Sequence, residues 1–215
     1  MPGMICVLTG DIVRSSDLGN GKLDELMQEL DRGAETIRRW IEPASPRLER
    51  FRGDGWQLAL TNPAHALRAG LLLRAIVKTF DQDADTRIGF GIGFGTLGAA
   101  LAESRGSAFE MSGMQLEKIR GPNRWAIDGE LEHGRVLPLV RALFSACEGL
   151  SSGWTSKQAD VFARMAGPEK PKYAEVAETL GVSAQTVQEH FAKAGGRSLL
   201  RAIKGFEQAL GSEND

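Results

Sequence analysis

Two aspartates occupy the same local setting. In LTGDIVRSS, residues 8–16, Asp11 ends an apolar run and opens a polar turn; in RFRGDGWQLAL, residues 50–60, Asp54 sits in a Gly-Asp-Gly turn that leads into an alternating apolar stretch. Two carboxylates brought to one rim of a sheet repel unless a cation lies between them, and a hard, oxygen-loving ion such as Mg²⁺ or Mn²⁺ is a common solution. The plainer alternative is that Asp11 accepts hydrogen bonds from the following turn and Asp54 occupies a hairpin tip, as aspartate often does. Both readings stay open on the residues alone. Cys6 and Cys147 are too few and too isolated for a zinc site, His133 and His190 have no partners at metal-ligand spacing, and His65 begins a helix.

The elements that position these aspartates are legible in the pattern. ICVLT, residues 5–9, is a short run of strand formers that stops at Gly10. From Asn20 the apolar positions Leu23, Leu26, Met27, Leu30, Ala34, Ile37, Trp40 and Ile41 recur every three or four residues and predict an amphipathic helix ended by Pro43 and Pro46. A hairpin follows, with Trp56, Leu58 and Leu60 on one face. Asn62 as N-cap and Pro63 at the first position open a second helix.

RIGFGIGFGTLG, residues 87–98, alternates Ile88, Phe90, Ile92 and Phe94 with glycines, which predicts a strand with one bulky face and one bare face that another element approaches closely. The dinucleotide-binding spacing within GFGTLG, residues 93–98, belongs to that strand period rather than to a phosphate-cradling turn. Further helices are expected over 105–120 and 135–148. The order strand, helix, strand, strand, helix, strand, helix is the split β-α-β plan, so the chain is expected to be α+β with a ferredoxin-like antiparallel sheet over residues 1–150. SSGW at 151–154 marks a break, after which an all-α unit covers 151–215.

The first unit resembles class III nucleotidyl cyclases and, more closely, the small SatD-like relatives of that fold. GDIVRSS is similar to the family's first-strand motif, RFRGDGWQLAL to its hairpin, RIGFGIGFG to its glycine-punctuated fourth strand and GSAFEMSGMQLEKI to the helix after it. The resemblance spans residues 4–120. It implies that Asp11 and Asp54 bridge Mg²⁺ or Mn²⁺ with the Ile12 carbonyl as a further ligand, and that Arg14, Ser15 and Ser16 face a nucleotide's phosphates. Arg50 falls where adenylyl cyclases carry a base-reading lysine; a solvated hairpin arginine is the other reading. The family's asparagine and arginine that stabilise the transition state align with Glu110 and Met114, which cannot neutralise developing phosphate charge. The resemblance therefore implies a cyclase-like domain without cyclase activity.

In the tail, KYAEVAETLGVSAQTVQEHFAKAG, residues 172–195, places Val176, Ala177, Leu180, Gly181, Val182, Val187 and Phe191 as a helix-turn-helix does. With the helical stretches on either side it resembles the four-helix modules of LuxR-type regulators and of the promoter-reading end of sigma factors. That resemblance makes Gln185, Thr186 and Gln188 base readers and puts Ser183, Lys193, Arg197 and Lys204 near DNA phosphates. A helical bundle used only for dimerisation is the competing reading. Residues 154–215 carry eight basic and eight acidic side chains, so the sum shows no positive footprint.

The chain has 215 residues, 42% hydrophobic content and a net charge of −2, which suits a globular protein and excludes a global electrostatic pull toward nucleic acid or anionic membrane. No run is long enough to span a bilayer, and the paucity of cysteine fits a reducing cytoplasm. The expectation is a cytoplasmic, homodimeric, DNA-binding transcriptional regulator whose cyclase-like domain senses a nucleotide or metal. The alternatives are a divergent Mg/Mn-dependent cyclase or other phosphoryl-transfer enzyme, and a protein-interaction module.

Overall fold

The structure is a computed structural model and describes residues 3–41, 48–51, 53–131 and 136–211. The chain is α+β. Five strands lie among the described residues: β1 (Gly3–Val13), β2 (Glu49–Phe51), β3 (Gly55–Leu60), β4 (Asp85–Gly95) and β5 (Trp125–Gly129), in the spatial order β2-β3-β1-β4-β5. Nine α-helices lie among the described residues: α1 (Ser15–Leu18), α2 (Asn20–Ile41), α3 (Ala66–Phe80), α4 (Ser107–Lys118), α5 (Val136–Ser152), α6 (Ser156–Met165), α7 (Tyr173–Leu180), α8 (Ala184–Lys193) and α9 (Gly196–Gly211).

The expected antiparallel sheet holds for β2, β3, β1 and β4, but the sheet is mixed because β5 runs parallel to β4. The reason is topological: β5 is reached through α4, and a crossover of that kind joins parallel strands. Nothing in the periodicity announced β5, whose five residues make too short a signal next to Pro122 and Asn123.

The apolar stripe of α2 faces inward as its spacing predicts: Leu26 and Leu30 are fully buried, and Leu23, Met27, Ala34 and Ile37 nearly so. The side chain of Ile41, and Pro43 and Pro46, lie outside the described residues. Asn62 caps a single 3-10 turn ahead of α3, its side chain accepting from the Ala64 N–H at 3.0 Å, with Pro63 at the first position. The bulky face of β4 joins Trp56, Leu58 and Leu60 in the main core through Ile88, Phe90 and Ile92, each side chain contributing roughly 1.5–3 kcal/mol by leaving water.

The bare face of β4 is covered by α4. A Cβ at Gly91 would lie 2.2 Å from the Ala108 carbonyl oxygen, and one at Gly89 would lie 2.2 Å from that of Ser112, so helix and strand meet backbone to backbone. The hydroxyls of Thr9 and Ser112 bond at 2.8 Å across this contact, and the Gln57 amide donates to Thr9 Oγ1 at 2.9 Å. Gly93 and Gly95 lie within β4, so the dinucleotide-like spacing there is strand.

The tail helices share the main core. Phe144 of α5 stands edge-on to Phe90 of the sheet at 5.0 Å and to Phe206 of α9 at 5.2 Å. Trp154 packs on Phe162 and donates its indole N–H to the Ala194 carbonyl at 2.9 Å, anchoring α6 to the end of α8. Two ionic ties reinforce the contact. Arg68 of α3 grips Glu207 of α9 through Nε at 2.6 Å and through the second terminal nitrogen at 2.7 Å, and also donates to the Ala166 carbonyl. Arg74, fully buried, holds Asp85 at 2.9 and 2.7 Å and reaches the Glu148 carbonyl and Ser151 Oγ, both at 2.8 Å. No helix among the described residues is long and apolar enough to cross a membrane.

Candidate functional site

Strand register brings the two aspartates to one rim. Asp11 stands opposite Gly55 of β3 on one side and Arg87 of β4 on the other, and Asp54 immediately precedes Gly55. Ser15, at the start of α1, donates its hydroxyl to Asp54 Oδ2 at 2.5 Å. Arg87 donates through Nε to Asp11 Oδ1 at 2.8 Å and through a terminal nitrogen to Oδ2, a two-pronged grip on the whole carboxylate. The hydrogen bond to Asp11 raises the guanidinium pKa above its ordinary value; partial burial opposes this, and the charges of Asp11 and Asp54 reinforce it. The cation that two neighbouring carboxylates call for is thus a side chain of the sheet itself.

The remaining rim residues divide. Arg14 is exposed and has φ 57°, the left-handed region, alone among the described non-glycine residues. Holding an arginine there costs about 1–2 kcal/mol against an extended or helical backbone. Ser16 is exposed and among the described residues makes one weak side-chain bond, to Asp17 at 3.4 Å. Arg50 donates to the Gly53 carbonyl and pairs with Asp24 of α2 at 2.6 Å rather than with Asp11 or Asp54. The side chain of Ile12 is buried in the main core. Glu110 and Met114 are exposed on α4.

A divalent ion at this rim would need free carboxylate oxygens from both aspartates. Both oxygens of Asp11 are committed to Arg87, and no group of three or more His, Cys, Asp or Glu side chains suited to a metal occurs among the described residues. As it stands, the donor set does not fit the ion. Arg87→Met, which keeps much of the bulk and removes the charge, is expected to produce a heat of Mn²⁺ binding in calorimetric titration that the parent protein lacks. Identical titrations of the two proteins would show that Arg87 does not stand in the ion's place. The thiols offer no alternative nucleophile: burial pushes Cys147 up to about 11 and Cys6 higher still.

Scanned against protein-family models and against curated proteins, the chain matches none.

The second candidate surface is on the tail. Three residues join α7 to α8: Gly181 takes the left-handed conformation at φ 65°, and Ser183 caps α8 by accepting from the Thr186 N–H at 3.1 Å. Val187 and Phe191 are buried, which turns Gln185 and Gln188 outward into solvent. Gln185 donates to Glu189 at 3.1 Å, while Thr186 is half-buried with its hydroxyl 2.8 Å from that of Ser183. Lys193, Arg197 and Lys204 are all exposed.

Sequence reasoning passed over two residues that matter here. Arg87 could be found only from the strand register. Arg201 was legible, since it follows Arg197 by one helical turn and precedes Lys204 by three residues on the same side of α9.

Proposed function

We propose that this chain is a DNA-binding transcriptional regulator, with residues 151–215 acting as a helix-turn-helix unit on a ferredoxin-like, nucleotidyl cyclase-like domain that has lost catalysis. The observation that carries the reading is the polarity of α8, which buries Val187 and Phe191 while Gln185 and Gln188 face solvent. Glutamine amides can donate and accept together, as adenine's major-groove edge requires. The short turn at Gly181 and the Ser183 cap support the same reading.

The cyclase-like domain, in this reading, serves assembly and sensing. Along α5, Val136, Leu139, Leu143, Ala146 and Leu150 recur at alternating spacings of three and four, and all but the half-buried Leu143 are exposed. That is the period of a helix seam, and a second copy of the chain would cover it. Two copies would present two α8 helices to two half-sites.

Fluorescence anisotropy with genomic duplex fragments at two salt concentrations tests the function. Sequence-selective, salt-dependent binding is expected, and Gln185→Ala with Gln188→Ala should weaken the preferred site at least tenfold, since one good base contact is worth about 1–3 kcal/mol. Absence of any selective binding would remove the DNA reading. Light scattering should give a mass twice that of one chain.

One observation favours a second reading, a Mg/Mn-dependent phosphoryl-transfer enzyme: Asp11, Asp54 and Ser15 do share a rim. That reading requires Arg87 to leave Asp11 when metal and nucleotide enter. Product formation from nucleoside triphosphates, abolished by Asp54→Ala, would establish it.

A further inference from the structure

The charge balance of the tail conceals a strong local imbalance. A groove of about 570 Å³ opens where the end of α6, the start of α7 and the side of α9 meet. Its floor is apolar, made by Met165, Tyr173, Phe191 and Leu200. Its rim carries Lys170, Arg197, Arg201 and Lys204, and no acidic side chain among the described residues lines it. These are half of the eight cations in residues 154–215.

None of the four has an ion-pair partner among the described residues. The one acid of α9, Glu207, is taken by Arg68 and His65. Arg197, Arg201 and Lys204 therefore repel one another along one side of a helix, at spacings of four and three residues, with no ion pair among the described residues to relieve them. A low-dielectric floor beneath unpaired charges strengthens their field. The row spans about 10 Å at the helical rise of about 1.5 Å per residue.

We propose that this groove binds a nucleoside polyphosphate, with the base against Tyr173 and Leu200 and the phosphates along Arg197, Arg201 and Lys204. Three features select that chemistry. The volume suits one organic ligand. The four cations match the charge of a triphosphate, and two of them are guanidinium forks that grip phosphate oxygens in pairs. The apolar floor, with the half-buried Tyr173 ring beside Phe191 at 6.0 Å, calls for a flat face that a bare phosphate lacks. A duplex backbone meets the charges but offers no such face. The site lies on the tail, apart from the aspartate rim, and shares Arg197 and Lys204 with the residues that the helix-turn-helix resemblance puts near DNA phosphates.

Calorimetric titration of the full chain in magnesium-free buffer, with ATP, GTP and inorganic triphosphate as separate probes, tests this. At least one nucleotide should bind, and inorganic triphosphate should bind at least tenfold more weakly. Arg197→Ala with Arg201→Ala, both exposed, should weaken the nucleotide at least tenfold while leaving the ligand-free melting temperature unchanged or higher. Lys22→Ala, exposed at the start of α2, should leave binding intact. The proposal is overturned if neither nucleotide binds, if triphosphate binds as tightly as the nucleotide, or if the double variant binds normally. It is equally overturned if Lys22→Ala abolishes binding, or if duplex DNA alone shows the dependence on Arg197 and Arg201.

Discussion

Asp85→Ala lowers the free energy of unfolding by about 3–5 kcal/mol in urea titrations at neutral pH, the usual cost of stranding a buried charge. Arg74 is 0% exposed, and Asp85 receives both of its side-chain bonds to a carboxylate, at 2.9 and 2.7 Å. Lys78 at 3.8 Å and Arg124 at 3.7 Å face the same carboxylate, so its removal leaves three cations turned toward one unoccupied point. The Arg74 bonds to the Glu148 carbonyl and Ser151 Oγ remain, but neither acceptor carries a compensating charge. Replacing Arg74 and Asp85 together by Met and Leu should recover most of the loss, because well-packed apolar residues avoid the desolvation that the pair suffers. A loss below about 1 kcal/mol for Asp85→Ala would place the pair with surface salt bridges and sink the argument.

Glu207→Gln costs about 3 kcal/mol near neutral pH and loosens the tail from α3. Burial alone would raise the Glu207 pKa, but hydrogen bonds from His65 and Arg68, with the charge of both, overcome it and hold the carboxyl at about 2 against an ordinary 4.5. The side chain is only 20% exposed, so solvent screens little of this. A carboxylate whose folded-state value is depressed stabilises fully above its unfolded value and progressively less as pH falls toward the folded one. The difference in urea stability between the parent and Glu207→Gln should therefore be constant above about pH 5, shrink below pH 4.5, and nearly vanish at pH 2. A gap independent of pH across that window would show that the carboxylate charge is not what ties α9 to α3.

Three features were open to reading from neighbouring residues. The stripe of α2, the hairpin around Asp54 and the glycine face of β4 each follow from a period of 3.6 or 2, because backbone geometry alone dictates which side chains share a face. The glycines carried a further message: a strand face with no Cβ atoms must be met by another backbone, and α4 meets it at Gly89 and Gly91. That Asp11 and Asp54 share a rim also follows from strand order once the sheet is drawn.

What compensates them does not. Arg87 lies seventy-six positions from Asp11, and only the β1–β4 register sets them side by side. The same holds for the basic groove, where Lys170 joins a row on α9 through the packing of α6, α7 and α9 around α8, and for the grip of Arg68 on Glu207. Composition summed the tail to a balance of charges, while folding sorted them in space. Local sequence by itself determined most of the elements, β5 excepted, and the faces they present, since those depend on bonds and sterics within a few residues. The partner of each charge was decided by the tertiary structure alone, because electrostatic pairing depends on distance through space and chain separation carries no trace of it.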